Sequence, residues 1–216
     1  MPAPVPPMGD KLPQVRSFGG HTLKSAVEAL AFWAFVTIDI WFFVKRAAWS
    51  AALPLPFMIW SWRTHRRPAE SLGFRFAEFR RSARFWWPLW LASLTVVAVL
   101  AAPRLLSQVT LRNAALYFLW SCLQQLALQS MIYLPLREGT ERLPAAAIAG
   151  ILFALVHAPN PVLMPGTLIW GALAAWSFEE YRSIWALGLS QMFLSSLLLQ
   201  IAPHALSRGF RIGPFY

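Results

Sequence analysis

Seven apolar stretches run along the chain, separated by short polar or proline-containing segments. They cover residues 26–44, 47–62, 85–102, 115–136, 143–158, 163–178 and 183–201. A mostly apolar stretch of about 20 residues is long enough to cross a bilayer as one helix. The second and fifth stretches are short, and the second contains Pro54 and Pro56, so six or eight spans also fit the pattern. The pattern predicts an all-α, polytopic transmembrane helical bundle of about seven spans.

The composition favours a membrane protein over a soluble domain. Hydrophobic residues make up 57% of the chain and charged residues 13%, whereas about 25% of the residues in an ordinary globular domain are charged. The 12 Trp and 16 Phe are more than a small soluble core could bury. Cys122 is the single cysteine, which excludes an internal disulfide. A disordered chain, a collagen-like chain and a disulfide-stabilised scaffold are therefore excluded.

The net charge of +10 has an explanation that needs no nucleic-acid partner. In the seven-span arrangement, 13 of the 19 Lys and Arg residues fall on the side of the N-terminus and 6 on the other side. Cytoplasmic loops of membrane proteins carry the excess of basic residues, and such loops also contact anionic lipid. We therefore expect a multi-pass protein in contact with the lipid bilayer, with its N-terminus in the cytoplasm. The high content of Ala, Arg, Pro and Trp favours a bacterial inner membrane.

The chain is predicted to have three parts. Residues 1–23 are polar and Pro-rich, lack the apolar region of a signal peptide, and form a cytoplasmic N-terminal segment. Residues 24–202 form the helical membrane domain, and residues 203–216 form a C-terminal tail. Within the longest polar loop, residues 71–85 mix apolar and basic side chains. This segment is either an amphipathic segment on anionic lipid or a solvated basic loop.

Acidic residues in the first apolar stretch are candidates for function. Glu28 and Asp39 lie about three helical turns apart and so share one face of the predicted helix. A charged side chain at a helix centre raises the free energy of membrane insertion by about 2.5–3.5 kcal/mol. Such residues are therefore often functional. The alternative for Asp39 is a structural hydrogen bond to a neighbouring helix.

Neutral polar residues form stripes in the later stretches. Ser121, Gln125 and Gln129 recur every four residues on one helical face, with Gln124 beside them. Amides inside a membrane helix must find hydrogen-bond partners on a neighbouring helix. The fifth stretch ends in Phe153-Ala-Leu-Val-His157, and the seventh carries Gln191 and Ser195 four residues apart.

The Phe-x-x-x-His pattern at residues 153–157, with its context, resembles the CPBP family of membrane proteins. This family includes the CAAX prenyl endopeptidases and the bacteriocin-processing, Abi-like proteins. It carries Glu-Glu-x-x-x-Arg, Phe-x-x-x-His and His-x-x-x-Asn/Asp on successive core helices. The Ser71-Leu-Gly73 loop and the sequence Ser183-Ile-Trp185 also look like the family. The resemblance covers about residues 70–200.

The resemblance also implies that most motif residues are substituted. It places Gln124, Gln125 and Gln129 on the first motif, and Gln191 and Ser195 on the third. The family mechanism, as the resemblance implies it, uses a glutamate to activate water and histidines to assist. Neutral glutamine is not a base, and one His among amides does not make a zinc site, so we expect no metal or other cofactor. His157 is the one surviving candidate catalytic residue.

Three functions remain open at this stage. The first is a CPBP-type intramembrane endopeptidase in which Asp39 or Glu28 supplies the missing carboxylate. The second is a non-catalytic pseudoprotease that binds a lipid-modified or transmembrane peptide, and the third is a small transporter or proton-relay protein. A further acidic pair, Glu179-Glu180, precedes Arg182 in the wrong spacing and order for the first motif and is predicted to be a solvated helix end.

Overall fold

The computed structural model describes residues 19–44, 46–101 and 111–215, and in this part of the chain every regular element is helical. The α-helices are α1 (Gly19–Ile38), α2 (Pro54–Thr64), α3 (Phe76–Ala101), α4 (Leu111–Ala127), α5 (Leu134–Gly139), α6 (Arg142–Val156), α7 (Leu163–Tyr181), α8 (Ile184–Ile201) and α9 (His204–Ser207). Two π-helical turns extend α1 and α4, at Asp39–Phe43 and Leu128–Tyr133, and short 3₁₀ turns occur at Ala48–Ala52, Arg208–Phe210 and Gly213–Phe215. The predicted all-α class is confirmed.

Within the described residues, two helical stretches, Leu23–Phe43 and Ile184–Ile201, are long and apolar enough by length and composition to cross a membrane. Helix α6 is apolar but shorter. The count of seven spans and the orientation stay predictions. Residues 1–18 of the predicted N-terminal segment, together with Lys45 and Arg104 of the charge count, lie outside the described residues.

One predicted boundary is wrong. Helix α3 begins at Phe76, well before the apolar stretch that starts at residue 85. Most of the segment 71–85 is therefore the first turns of a long helix and not a loop, and its contact with anionic lipid stays a prediction. Arg80, Arg81 and Arg84 lie on its exposed surface. The charged residues concealed this start because the apolar pattern begins only after them.

Small residues allow close helix packing around the core. A Cβ at Gly150 of α6 would lie 2.7 Å from the Leu168 carbonyl oxygen and 2.8 Å from the Ala172 nitrogen of α7. A Cβ at Gly188 of α8 would lie 3.0 Å from the Cys122 Cα of α4 and closer still to its sulfur. These contacts leave no room for a side chain, so the helix pairs α6–α7 and α4–α8 depend on glycine at these positions.

Two tryptophans hold α1 and its π-helical turn against α6. The Trp33 indole nitrogen donates to the Leu152 carbonyl oxygen, and the Trp41 indole nitrogen donates to the Val156 carbonyl oxygen, both at 2.8 Å. The Val156 carbonyl lies in the last turn of α6, where backbone acceptors have no partner within the helix. Asp39, between the two tryptophans in sequence, is thereby brought to the C-terminal end of α6.

The C-terminal residues fold back onto the same end of α6. The Asn160 side-chain nitrogen donates to the carbonyl oxygens of Ser207 (2.9 Å) and Arg211 (3.0 Å), and the Gly213 nitrogen donates to the Ala158 carbonyl oxygen at 2.7 Å. The Asn160 side-chain oxygen accepts from the backbone nitrogens at the start of α7. The segment after α8 therefore covers the end of the helical bundle.

Candidate functional site

Four glutamines from α4, its π-helical turn and α8 form a hydrogen-bonded group, which we call the amide cluster (Gln124, Gln125, Gln129 and Gln191). Gln124 is half-buried, and the other three are buried. The Gln129 Nε2 donates to Gln125 Oε1 at 3.0 Å, and Gln125 Nε2 donates to Gln191 Oε1 at 2.6 Å. Gln191 Nε2 donates to Gln124 Oε1, and the Trp170 indole donates to Gln191 Oε1 at 3.2 Å. Gln124 and Gln125 thus find partners on α8, as expected, whereas Gln129 bonds to Gln125 alone and its Oε1 has no partner among the described residues.

Two other polar residues predicted beside these amides are placed differently. Ser195 is hydrogen-bonded to the Tyr117 hydroxyl of α4 instead of to the amide cluster. Ser121 is fully buried, and its hydroxyl has no hydrogen-bond partner among the described residues. The amide cluster therefore includes neither serine, and its additional hydrogen-bond partner is the Trp170 indole.

His157 follows the last residue of α6 and is hydrogen-bonded back to that helix. Its Nδ1 lies 2.8 Å from the Phe153 carbonyl oxygen. A carbonyl oxygen can only accept, so Nδ1 carries the proton and the neutral ring leaves Nε2 as an acceptor. The Phe153 ring packs edge-on against the imidazole with centroids 4.9 Å apart. The Phe-x-x-x-His spacing thus orients and fixes the tautomer of His157.

Two adjoining cavities surround His157. The small cavity, of about 70 Å³, is lined by Asp39, His157 and aromatic and aliphatic side chains of α1, α2 and α4. The large cavity, of about 500 Å³, extends along α7 and α8 and is closed in part by Phe210 and Ile212 of the C-terminal segment. Five residues line both cavities: Ile40, Trp120, Gln124, Phe153 and His157.

Asp39 is the carboxylate that the structure brings to this site. It is 3% exposed, is the first residue of the π-helical turn after α1, and lines the small cavity with His157 and Gln124. Both carboxylate oxygens are buried without a hydrogen-bond partner in the described part of the chain. Among the described residues, Asp39 therefore makes no hydrogen bond to a neighbouring helix, which is what its structural interpretation would require.

Glu28 is not brought to the site. Its carboxylate accepts from the Ser61 hydroxyl and lies 2.6 Å from the His65 Nε2, at the junction of α1 with α2. Glu28 lines neither cavity, so it is not a substitute for the motif glutamates. The sequence places Glu28 and Asp39 on one helical face and so could not separate them. They differ because the C-terminal end of α2 contacts Glu28 and not Asp39.

Glu179 corrects another prediction. Its carboxylate accepts from the Tyr133 hydroxyl at 2.7 Å and from the Arg137 Nε and Nη2 at 2.9 and 3.2 Å, so it is not a solvated helix end. Burial by itself raises the pKa of Glu179, but the hydrogen bonds and charge of Arg137 and the Tyr133 hydroxyl outweigh it, and the pKa is lowered. Tyr133 and Arg137 are four residues apart and so lie on one helical face, which is the sequence signal that both could contact the same carboxylate.

The donor set around the cavities is poor in metal ligands. Within residues 19–44, 46–101 and 111–215, no group of three or more His, Cys, Asp or Glu side chains is placed to hold a metal ion. His157 and Asp39 are two such groups on one cavity wall. The chemistry on offer is therefore one acceptor nitrogen, one carboxylate and the amides.

One protein-family model matches the part of the chain that forms the candidate site. Residues 117–197 match the family model described as type II CAAX prenyl endopeptidase Rce1-like. No curated protein and no solved structure matches the chain. The matched segment runs from α4 to α8 and contains the amide cluster, Phe153, His157 and Ser195. The resemblance inferred from the Phe-x-x-x-His pattern is therefore confirmed.

Proposed function

We propose that this chain, a CAAX protease-like membrane protein of the CPBP family, binds a lipid-modified or transmembrane peptide without cleaving it. One observation carries this proposal. The glutamines that the resemblance places at the motif positions are hydrogen-bonded to one another across α4 and α8. These glutamines form one connected and uncharged group.

This group lacks the chemistry of the family's first motif. A general base must accept a proton near the working pH, and a glutamine amide does not. The oxygens of Gln124, Gln125 and Gln191 already accept hydrogen bonds within the amide cluster. Gln124 and Gln191 line the large cavity, so the cluster forms a neutral polar part of its wall.

The large cavity suits an apolar chain. Its volume of about 500 Å³ falls within the usual range for ligand pockets, roughly 300–1,000 Å³. Its far wall is mainly aliphatic and includes Leu163, Leu194, Leu198 and Ile201. Each buried methylene of a lipid chain contributes about 0.8 kcal/mol. A lipid chain or an apolar peptide side chain would therefore bind here without any covalent step.

Site-specific photo-crosslinking tests the proposal. A photoreactive side chain at Leu198, which lines the large cavity, should form an adduct with a lipidated peptide in reconstituted bilayers. The matched control is Leu199, the next residue of α8, which is 56% exposed and lines neither cavity. The peptide recovered from the Leu198 adduct should be intact. Equal labelling at both positions, or recovery of a cleaved peptide, would contradict the proposal.

Hydrolysis is the second candidate, and the shared cavity of Asp39 and His157 favours it. A water molecule would transfer a proton to one of these acceptors as its oxygen attacked the peptide carbonyl. The amine leaving group would then take that proton as the C–N bond broke. The test compares the termini of membrane proteins in cells carrying the wild type, His157→Ala or Asp39→Asn. Termini lost in both variants would establish hydrolysis, and unchanged termini would exclude it.

A further inference from the structure

Asp39 is a buried carboxylate that the amide cluster does not use. It is 3% exposed and neither oxygen has a partner among the described residues. Buried polar groups are almost always hydrogen-bonded, and a buried charge is paired in nearly every case, because an unpaired one is strongly destabilising. Within a membrane protein such a residue is by default a functional one. The small cavity beside it is where a partner of opposite charge would sit.

The surroundings of Asp39 favour a cationic nitrogen group. Asp39 and His157 both line the small cavity. Asp39 brings a buried carboxylate, and His157 has Nε2 left as an acceptor in its neutral form because its Nδ1 is hydrogen-bonded to the Phe153 carbonyl oxygen. The cavity wall also carries Trp120 and the Phe153 ring. Aromatic faces attract cations, more strongly where water is excluded. A carboxylate, an acceptor nitrogen and aromatic rings together match an alkylammonium group and repel an anion.

The size and position of the small cavity determine where the apolar part of a ligand with an alkylammonium head group would lie. A volume of about 70 Å³ holds only a small head group. The small cavity shares His157, Gln124, Trp120 and two other residues with the large cavity. A head group at Asp39 would therefore place an attached apolar chain in the large cavity.

We infer that Asp39 and His157 form the recognition site for a positively charged nitrogen group, carried by a ligand whose apolar chain fills the large cavity. This inference rests on the proposed function, because it names the chemistry of the ligand's polar end. The net charge of the chain is +10, so the protein as a whole repels cations. A preference for a cationic ligand must then come from a local carboxylate.

Competition binding in bilayers of zwitterionic lipid tests this site. A photoreactive long-chain alcohol labels the large cavity of the wild-type protein. The unlabelled competitors are a long-chain primary alkylamine and the alcohol of the same chain length. We expect the amine to displace the probe at a concentration roughly tenfold lower than the alcohol, the scale of one charge-assisted hydrogen bond.

Two variants assign the preference to one residue. Asp39→Asn removes the charge and keeps the shape, so it should abolish the preference for the amine over the alcohol. Glu28→Gln is the matched control. Glu28 lies in α1, the helix that leads into Asp39, and its carboxylate lines neither cavity. This variant should keep the preference. The comparison of competitors in the wild-type protein needs no variant to fold.

Three results would overturn the inference. They are equal displacement by amine and alcohol in the wild type, a preference that persists in Asp39→Asn, and a preference lost equally in Glu28→Gln. In each of them the alcohol probe still occupies the large cavity, so the proposed function stands. Absence of any probe labelling in the large cavity would overturn the proposed function as well.

Discussion

Asn160 joins three parts of the chain through one amide. It is fully buried, caps the start of α7 with its oxygen, and binds the carbonyl oxygens of Ser207 and Arg211 with its nitrogen. A buried polar group left without a partner destabilises a protein by about 1–3 kcal/mol. Asn160→Ala should therefore lower the free energy of unfolding by at least that amount.

Asn160→Asp separates the two contacts of this side chain. It keeps the oxygen that caps α7 and loses the donor to the C-terminal segment. Faster hydrogen exchange should then appear in residues 203–215 and not in α7. Thermal unfolding in detergent and hydrogen exchange by mass spectrometry measure both effects. Equal exchange in both segments would show that Asn160 does not act through these separate contacts.

Glu179 makes stability depend on pH. Its pKa is lowered from the ordinary value of 4.5, so the folded state favours its charged form. The stabilisation is complete above the ordinary value and is lost as the pH falls through the lower, folded-state value. The free energy of unfolding should decrease below about pH 4.5 in the wild type. Glu179→Gln should be less stable at neutral pH and should lose part of this decrease.

Glu180→Gln provides the control for this pH dependence. Glu180 is exposed, and its contact with Arg81 is long, at 3.4 Å. An exposed pair contributes roughly 0–1 kcal/mol. The variant should therefore follow the wild-type pH curve. A curve that changes as much as that of Glu179→Gln would assign the dependence to general surface charge instead.

Sequence reasoning reached some of these residues and missed others. The regular spacing of Gln125, Gln129 and the Phe153–His157 pair identified the helical faces that meet in the site. Asp39 was identified as a candidate, but spacing within α1 could not tell it from Glu28. That distinction depends on which neighbouring helix each carboxylate meets, and a single helix carries no information on its neighbours.

At the level of elements, α6 and α7 approach closely at Gly150. A Cβ there would meet backbone atoms of α7 at 2.7 and 2.8 Å, and backbone cannot move aside as a flexible side chain can. Overpacking of this kind costs about 1–3 kcal/mol. Gly150→Ala should therefore lower the midpoint of thermal unfolding.

Gly166→Ala is the matched control for this helix contact. Gly166 lies in α7, and a Cβ there would meet only Leu198 Cδ2, at an ordinary 3.6 Å. Alanine is a better helix former than glycine by up to about 1 kcal/mol. This variant should be as stable as the wild type or more stable. A comparable loss in both variants would mean that glycine flexibility matters more than close packing.

The pattern of apolar residues was sufficient to predict where most helices lie. Each predicted apolar stretch contains a helix in the structure, because burial in lipid or protein selects the same side chains. The π-helical turns at Asp39 and Leu128 were not predicted, since they add one residue to a turn without changing the apolar pattern. The early start of α3 was missed because its first turns are basic.

At the scale of the whole molecule, three ion pairs join loops and helix ends that the predicted topology puts on one side of the membrane. The pairs Arg67–Glu138, Arg81–Glu180 and Arg137–Glu179 involve the loops and helix ends that the charge count places in the cytoplasm. A cysteine introduced as Arg66→Cys should react with a membrane-impermeant thiol reagent only after cells are opened. Leu206→Cys, in the C-terminal segment, should react in intact cells. Cys122 is buried, so it should contribute little background.

The reverse labelling pattern would invert the orientation. Labelling of both positions in intact cells would instead require a different number of spans. The charge rule could predict the sides of the membrane, but not that the C-terminal segment folds back over α6. That arrangement depends on Asn160, a single residue in a turn whose partners lie 47 and 51 residues further along the chain.

The long separation between α1 and its partners has a consequence for biosynthesis. Val156, the acceptor for the Trp41 indole, follows that residue by 115 positions. At roughly 5–20 residues per second, the ribosome needs roughly 6–23 s to make that interval. Throughout this time Asp39 has neither its cavity nor α6 beside it. We expect nascent α1 to be retained by the insertion machinery until α6 emerges, and shorter chains that end before α6 to be degraded.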